Sequence, residues 1–183
     1  MTKIKLETII KAPIETVFNN SRNIDLHMNS AKQTNEKVIA GKVSGLIEKG
    51  ETVTWEGNHF GLRLEHQSQI SELIYPTYFE DIQIKGYFKW FKYQHFFEQV
   101  DEHTIMKDVL EYEVPFAVFG KLIDFIFIKK HLTKFLLRRN LFLKNLSEKQ
   151  HHNKPNHRQC FNPKRSIIFI SFFGSIISKN TKN

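Results

Sequence analysis

Along these 183 residues the spacing of apolar side chains changes its period once, at Pro115, and that change limits the folds open to the chain. Before it, apolar and polar residues alternate in runs broken by Gly41, Gly45, Gly50, Gly57, Gly61 and Gly86, the pattern of antiparallel strands joined by tight turns. After it, Leu122, Phe125, Ile126, Leu132, Phe135, Leu136 and Phe142 recur at roughly three- and four-residue spacing with Lys and Arg between them. This predicts one long amphipathic helix over 116–146. At the other end, residues 3–10 alternate as a strand, Pro13 with Glu15 opens a short helix running to Asn20, and residues 24–30 carry a second, weaker helical stretch. The order is strand, two short helices, about six strands and one long helix, an α+β chain. A sheet of that size buries one face by curling around the helix.

Strand alternation then names the residues on the inner face. Val53, Trp55, Gly57 and His59 share one side of their strand; Leu62, Leu64, His66, Ser68 and Ile70 share one side of the next, and a tight turn at Phe60-Gly61 sets Trp55 opposite His66. In 103–113, Thr104, Met106, Asp108, Leu110 and Tyr112 face one way, with Lys107, Glu111 and Glu113 on the other. The aromatic strand 87–99 is ambiguous on its own. Symmetric hairpin pairing resolves it, because a loop of two or four residues equally sets 97 opposite 106 and 95 opposite 108. His95 and Phe97 therefore face inward, with His95 beside Asp108. Phe88, Trp90 and Phe96, with Ile82 and Ile84, are left for the convex side, and an apolar outer patch of that kind suggests a partner surface, a second copy of the chain included.

Charge and cysteine use exclude several classes. The net charge of +8 is uneven: residues 147–183 hold +6 and 120–146 another +6, leaving 1–119 at −4. With no helix-turn-helix, zinc-finger or aromatic RNA-platform motif, nucleic acid is not an expected partner. Lys129, Lys130, Lys134, Arg138 and Arg139 read as a solvated basic helix face, with weak peripheral contact with an anionic membrane as the alternative. The single cysteine, Cys160, excludes a disulfide framework and any multi-cysteine metal centre, and residues 1–11 alternate where a secretory leader would be continuously apolar. A cytoplasmic protein is expected. Residues 147–183 form a basic, partly apolar tail, expected to be poorly ordered. Its apolar run, 166–178, has thirteen residues, against the ~20 that span a bilayer.

Residues 1–146 resemble the START-like superfamily, the helix-grip or SRPBCC proteins that include polyketide cyclase-like and ligand-binding members. The resemblance rests on Ile9-Ile10-Lys11-Ala12-Pro13-Ile14-Glu15-Thr16-Val17-Phe18, on Gly50-Glu51-Thr52-Val53-Thr54-Trp55 leading to His59-Phe60-Gly61, and on Phe79-Glu80-Asp81 followed by Gly86-Tyr87-Phe88. It continues through His95-Phe96-Phe97, Thr104-Ile105-Met106-Lys107-Asp108 and Tyr112-Glu113-Val114-Pro115. Tyr93 stands where many such proteins carry a second histidine. The resemblance implies a curved antiparallel sheet wrapped around the C-terminal helix and an internal cavity for a hydrophobic small molecule, lipid- or polyketide-like, without implying one reaction.

On that reading Trp55, Phe79, Phe91, Phe97, Met106, Leu122, Phe125 and Ile126 form the apolar wall, and His66, Asp81, Tyr93, His95, Asp108 and Tyr112 supply the polar positions. A filled core is the alternative. The His95–Asp108 pair has three meanings: a structural hydrogen bond, a ligand anchor, or a general acid/base unit of a cyclase- or dehydratase-like enzyme. Binding is expected over catalysis, because no separate nucleophile or oxyanion device is visible. No HxH or HExxH spacing occurs, so neither metal nor cofactor is expected.

Overall fold

The computed structural model describes residues 1–59, 61–115, 120 and 122–153. Among them, seven strands form one antiparallel sheet: β1 (Thr2–Ile10), β2 (Lys37–Gly41), β3 (Thr52–His59), β4 (Leu62–Ile74), β5 (Tyr78–Lys85), β6 (Trp90–Val100) and β7 (His103–Glu113). Their spatial order is β1-β7-β6-β5-β4-β3-β2, so β2 to β7 form a meander and β1 adds to its far side against β7. Helices α1 (Ile14–Ser21) and α2 (Ile24–Ser30) lead from β1 to β2, and a π-helical turn, Asp124–Ile128, leads into α3 (Lys129–His152).

Local chemistry accounts for these elements. Pro13, at φ −61 and ψ 145, sits in extended geometry just ahead of α1, and Glu15 occupies the first turn, where a negative charge complements the helix dipole. The Asn23 side chain caps α2, accepting from the Leu26 amide at 3.0 Å. The β6–β7 connection is the two-residue Asp101-Glu102, with Asp101 at φ 51. The longest strand, β4, has two register irregularities against β5, at Gln67/Ser68 and Ile70/Glu72, and such bulges bend a strand and sharpen its twist. That bend brings β3 and β4 round toward α3.

Two apolar clusters fill the space under the helices. In one, Phe18 of α1 sets its ring edge-on against Phe79 and Phe97, at 5.6 and 5.2 Å between centroids, with Ile10, Val17, Met106 and Leu143 around it. The other gathers Ile4, Tyr93, Leu110, Tyr112 and Leu136, flanked by Ile128, Leu132 and Phe135. The helical face that supplies these contacts carries Ile128, Leu132, Leu136, Asn140, Leu143 and Ser147, at the three- and four-residue steps of one α-helical stripe.

The structure departs from expectation at three places along the chain. Helix α3 continues to His152 instead of ending at 146. Glu148, Lys149 and Gln150 are good helix formers, and Ser147, fully buried, accepts from Asn20 Nδ2 at 2.9 Å. The remainder of the expected tail, 154–183, lies outside the described residues. Phe88 is not on the convex side: it precedes β6 in an irregular turn, outside the strand's alternation, and packs inward against Phe91 and Tyr112. Arg139 does not belong to the basic face; it is 4% exposed and turned toward the sheet. Trp90, Phe96 and Ile84 are exposed, as the alternation requires.

Candidate ligand-binding cavity

Between the concave sheet, α2 and α3 lies a cavity of about 490 Å³, inside the roughly 300–1,000 Å³ usual for small-molecule sites. Of the residues expected in it, Trp55, His66, Phe79, Asp81, Phe91, Tyr93 and His95 line it. They come from β3, β4, β5 and β6, whose registers set Trp55 opposite His66, Phe79 opposite His95 and Asp81 opposite Tyr93.

The other seven expected residues do not line it. Phe97 and Met106 are buried in the apolar cluster beneath α1. Asp108, 1% exposed, sits behind His95, and Tyr112 donates its hydroxyl to Asp124 Oδ1 at 2.5 Å, tying β7 to the start of the helical segment. Leu122, Phe125 and Ile126 face outward and are exposed, Phe125 at 80%. Their displacement has a geometric cause. The π-helical turn over 124–128 holds more residues per turn than an α-helix, so a periodicity carried across it selects the wrong face. Ile123, Ile128, Leu132, Phe135, Leu136 and Arg139 take the places on the cavity wall.

At the floor, His95 Nδ1 lies 2.6 Å from Asp108 Oδ1, and Asn140 Nδ2 of α3 donates to Asp108 Oδ2, also at 2.6 Å. Burial works to raise the Asp108 pKa. The hydrogen bond and charge of His95, the charge of Arg139 and the Asn140 bond outweigh it and hold the carboxyl below its ordinary range. The carboxylate therefore accepts a hydrogen bond from His95 Nδ1. Nε2 turns toward Asp81, 3.6 Å from Oδ2, which is beyond hydrogen-bond length. Phe79 stacks on the imidazole at 4.2 Å and Tyr93 covers it at 4.0 Å, leaving His95 only 1% exposed. Burial, with the Asp108 charge adding to it, pushes the Tyr93 hydroxyl well up.

Closer to α2 and the start of α3 stands a second polar group that expectation did not include. Glu36 receives His27 Nε2 at 2.8 Å and faces His59 Nε2 at 3.4 Å. Burial alone would raise its pKa, but the two imidazoles overcome this and bring it to about 2. His59 Nδ1 meets His131 Nε2 of α3 at 3.1 Å, and Trp55 lies against His27 at 4.2 Å. Burial first, then the positive charges of its neighbours, holds His131 below the ordinary imidazole range. Burial does the same to His66, against the opposing pull of Asp81. His59 was legible, since it shares the inner side of β3 with Trp55. His27 had the spacing of an α2 face, beside Ile24 and Met28. Glu36 lies between elements, where no period points inward. No cluster with metal-ligating geometry occurs among the described residues, and no helix among them is long and apolar enough to cross a membrane.

No protein-family model matches the chain, and no curated protein matches it in sequence. Solved structures do match in shape. The TTHA0849 protein of Thermus thermophilus is 18% identical, with 80% of this chain and 99% of that one covered at a TM-score of 0.63. A START superfamily protein of Mycobacterium smegmatis is 11% identical, covering 81% and 98% at 0.61. Major latex-like protein 151 of Panax ginseng is 15% identical, covering 80% and 97% at 0.55. A seven-stranded curved sheet closed by a long C-terminal helix, with two short helices after the first strand, and these likenesses together give the chain the helix-grip fold of START-like proteins.

Proposed function

We propose that this protein binds a small hydrophobic molecule, lipid- or polyketide-like, enclosed between the sheet and α3. The observation that carries the reading is the cavity itself: about 490 Å³ walled mainly by Trp55, Phe79, Phe91, Leu132, Phe135 and Leu136. An apolar space of that size, unfilled by side chains, forfeits contacts that a packed core would make, and an apolar guest restores them. A ligand that binds only the folded state adds about 2.7 kcal/mol at a hundredfold excess over its Kd. Thermal unfolding against panels of fatty acids and alcohols, sterols and aromatic polyketides should therefore show a concentration-dependent rise in Tm for at least one class. No rise with any class overturns the proposal.

One observation favours a second reading, a cyclase- or dehydratase-like enzyme. The Asp108–His95 pair presents Nε2 on the cavity side, the arrangement of a general base with its orienting carboxylate. The rings of Phe79 and Tyr93 enclose that imidazole, which suits a structural or anchoring role better than proton shuttling. Turnover separates the two: loss of conversion of a bound polyketide in His95→Gln with affinity retained supports the enzyme, whereas weakened binding or stability alone supports the carrier.

A further inference from the structure

We propose that the cavity takes a hydrophobic molecule bearing a hydrogen-bond donor, a hydroxyl or an amine, aimed at Asp81, and discriminates against the same hydrocarbon bearing a carboxylate. This rests on the binding function proposed above and names the head group that it selects.

The argument is an inventory of charge and of hydrogen-bonding capacity. Among the described residues, no lysine lines the cavity, and its two guanidinium groups are engaged. Arg22 is held by Asn19 Oδ1, the Ile47 carbonyl and Glu48 Oε1, the last at 2.6 Å. Arg139 donates to the Ser21 carbonyl at 3.0 Å and to Asn140 Oδ1 at 3.4 Å, lies over the Tyr93 ring, and offsets the buried charge of Asp108. The imidazoles offer little more. His27 and His59 are committed to Glu36, His131 meets His59 and is held, like His66, below the ordinary imidazole range by burial, and His95 is bonded to Asp108 and flanked by Asp81. An incoming carboxylate would shed its hydration and find no uncommitted cation.

An acceptor, by contrast, is on offer. The Asp81 side chain is 17% exposed and lines the cavity, and its ion-pair neighbour, His95 Nε2, is 3.6 Å away. At that distance, beyond hydrogen-bond length, the Asp81 carboxylate keeps acceptor capacity in a mostly apolar space, and that capacity calls for a donor. A ligand hydroxyl or ammonium fits that place, and Phe79, Phe91 and Trp55 receive the hydrocarbon behind it.

The test uses the whole chain and a neutral fluorescent reporter, N-phenyl-1-naphthylamine, displaced by 1-dodecanol, dodecylamine or dodecanoate below their micellar concentrations at neutral pH. The expected result is displacement by the alcohol and the amine with affinities about tenfold or more above dodecanoate, the size of one charge-assisted hydrogen bond. In Asp81→Asn, which keeps shape and removes charge, the gap should narrow to about twofold, with the amine losing most. Dodecanoate binding the wild-type protein as tightly as the alcohol, or an unchanged ranking in Asp81→Asn, overturns the assignment while leaving the cavity function standing. Failure of the reporter and all three ligands to bind removes the cavity function, and this assignment with it. The wild-type ranking decides the matter even if the variant does not fold.

Discussion

Asp108 is a buried carboxylate held at both of its oxygens. It neutralises its surroundings with both oxygens, one toward His95 and one toward Asn140, while 1% exposed. Removing one member of such a group leaves the others buried without partners, so Asp108→Ala should lower unfolding stability by about 3–5 kcal/mol in urea titration. A loss below ~1 kcal/mol would show that the network contributes little. Glu36 gives the complementary test in pH. Its pKa falls from the ordinary 4.5 to about 2 on folding, so the stability it contributes is complete above pH 4.5 and disappears as pH drops through about 2. Wild type should therefore lose more stability than Glu36→Gln between pH 5 and 2, by up to about 3 kcal/mol. Parallel curves refute this. His66 and His131, both held below the ordinary 6.5 by burial, begin the acid loss earlier. The unfolded chain takes up their protons first, so their contribution is present above pH 6.5 and declines below it.

Among the elements, the strands were legible to the side chain and the first turns of the long helical segment were not. In a strand, period two and hairpin symmetry together fix which residue faces which, and the register pairs His95 with Asp108 and Trp55 with His66. A helix face is read from a phase that accumulates residue by residue, and the π-helical turn at Asp124–Ile128 resets it. Composition there is apolar on both sides, so nothing in Leu122, Phe125 or Ile126 marks them as outward. The contrast is measurable. Phe125→Ala, at a side chain 80% exposed, should change stability by less than about 0.5 kcal/mol. Leu143→Ala, at one 2% exposed, should cost about 2–5 kcal/mol. Equal costs would mean that the segment from Asp124 to His152 presents a different face. The segment holding Glu36 shows the other limit, since outside a periodic element only tertiary contacts determine which way a side chain turns.

At the scale of the whole molecule, element order makes the fold legible, whereas the hollow follows from the resemblance, from the incomplete closure of a sheet curled on one helix and from polar residues among the inward positions, and from no single stretch of sequence. Whether a curled sheet closes on itself depends on side-chain volumes summed across β3 to β6, α2 and α3, which no single stretch of sequence displays. A substitution that fills the space tests its role. Leu64→Trp, at a position lining the cavity, should abolish displaceable reporter binding while leaving the unfolding midpoint equal or higher, because the added ring occupies void instead of crowding packed atoms. A midpoint several degrees lower would show that the void is not available to an extra side chain.

The anchoring of α3 is lopsided. From Arg139 onward it is laced to Ser21, Asp108, Ile9, Asn20 and Lys11 through Arg139, Asn140, Lys144, Ser147 and Glu148. Ahead of it, Asp124 accepts from Tyr112 of β7 and Thr2 of β1. Between these two anchorages, the imidazole pair of His59 and His131 is joined mainly by grease against grease. The segment is thus a strap fastened at both ends and loosest in between. Amide deuterium uptake should be slowest over 139–152 and faster over 129–136, and a guest inside should slow the faster stretch more, because that is the stretch it props shut.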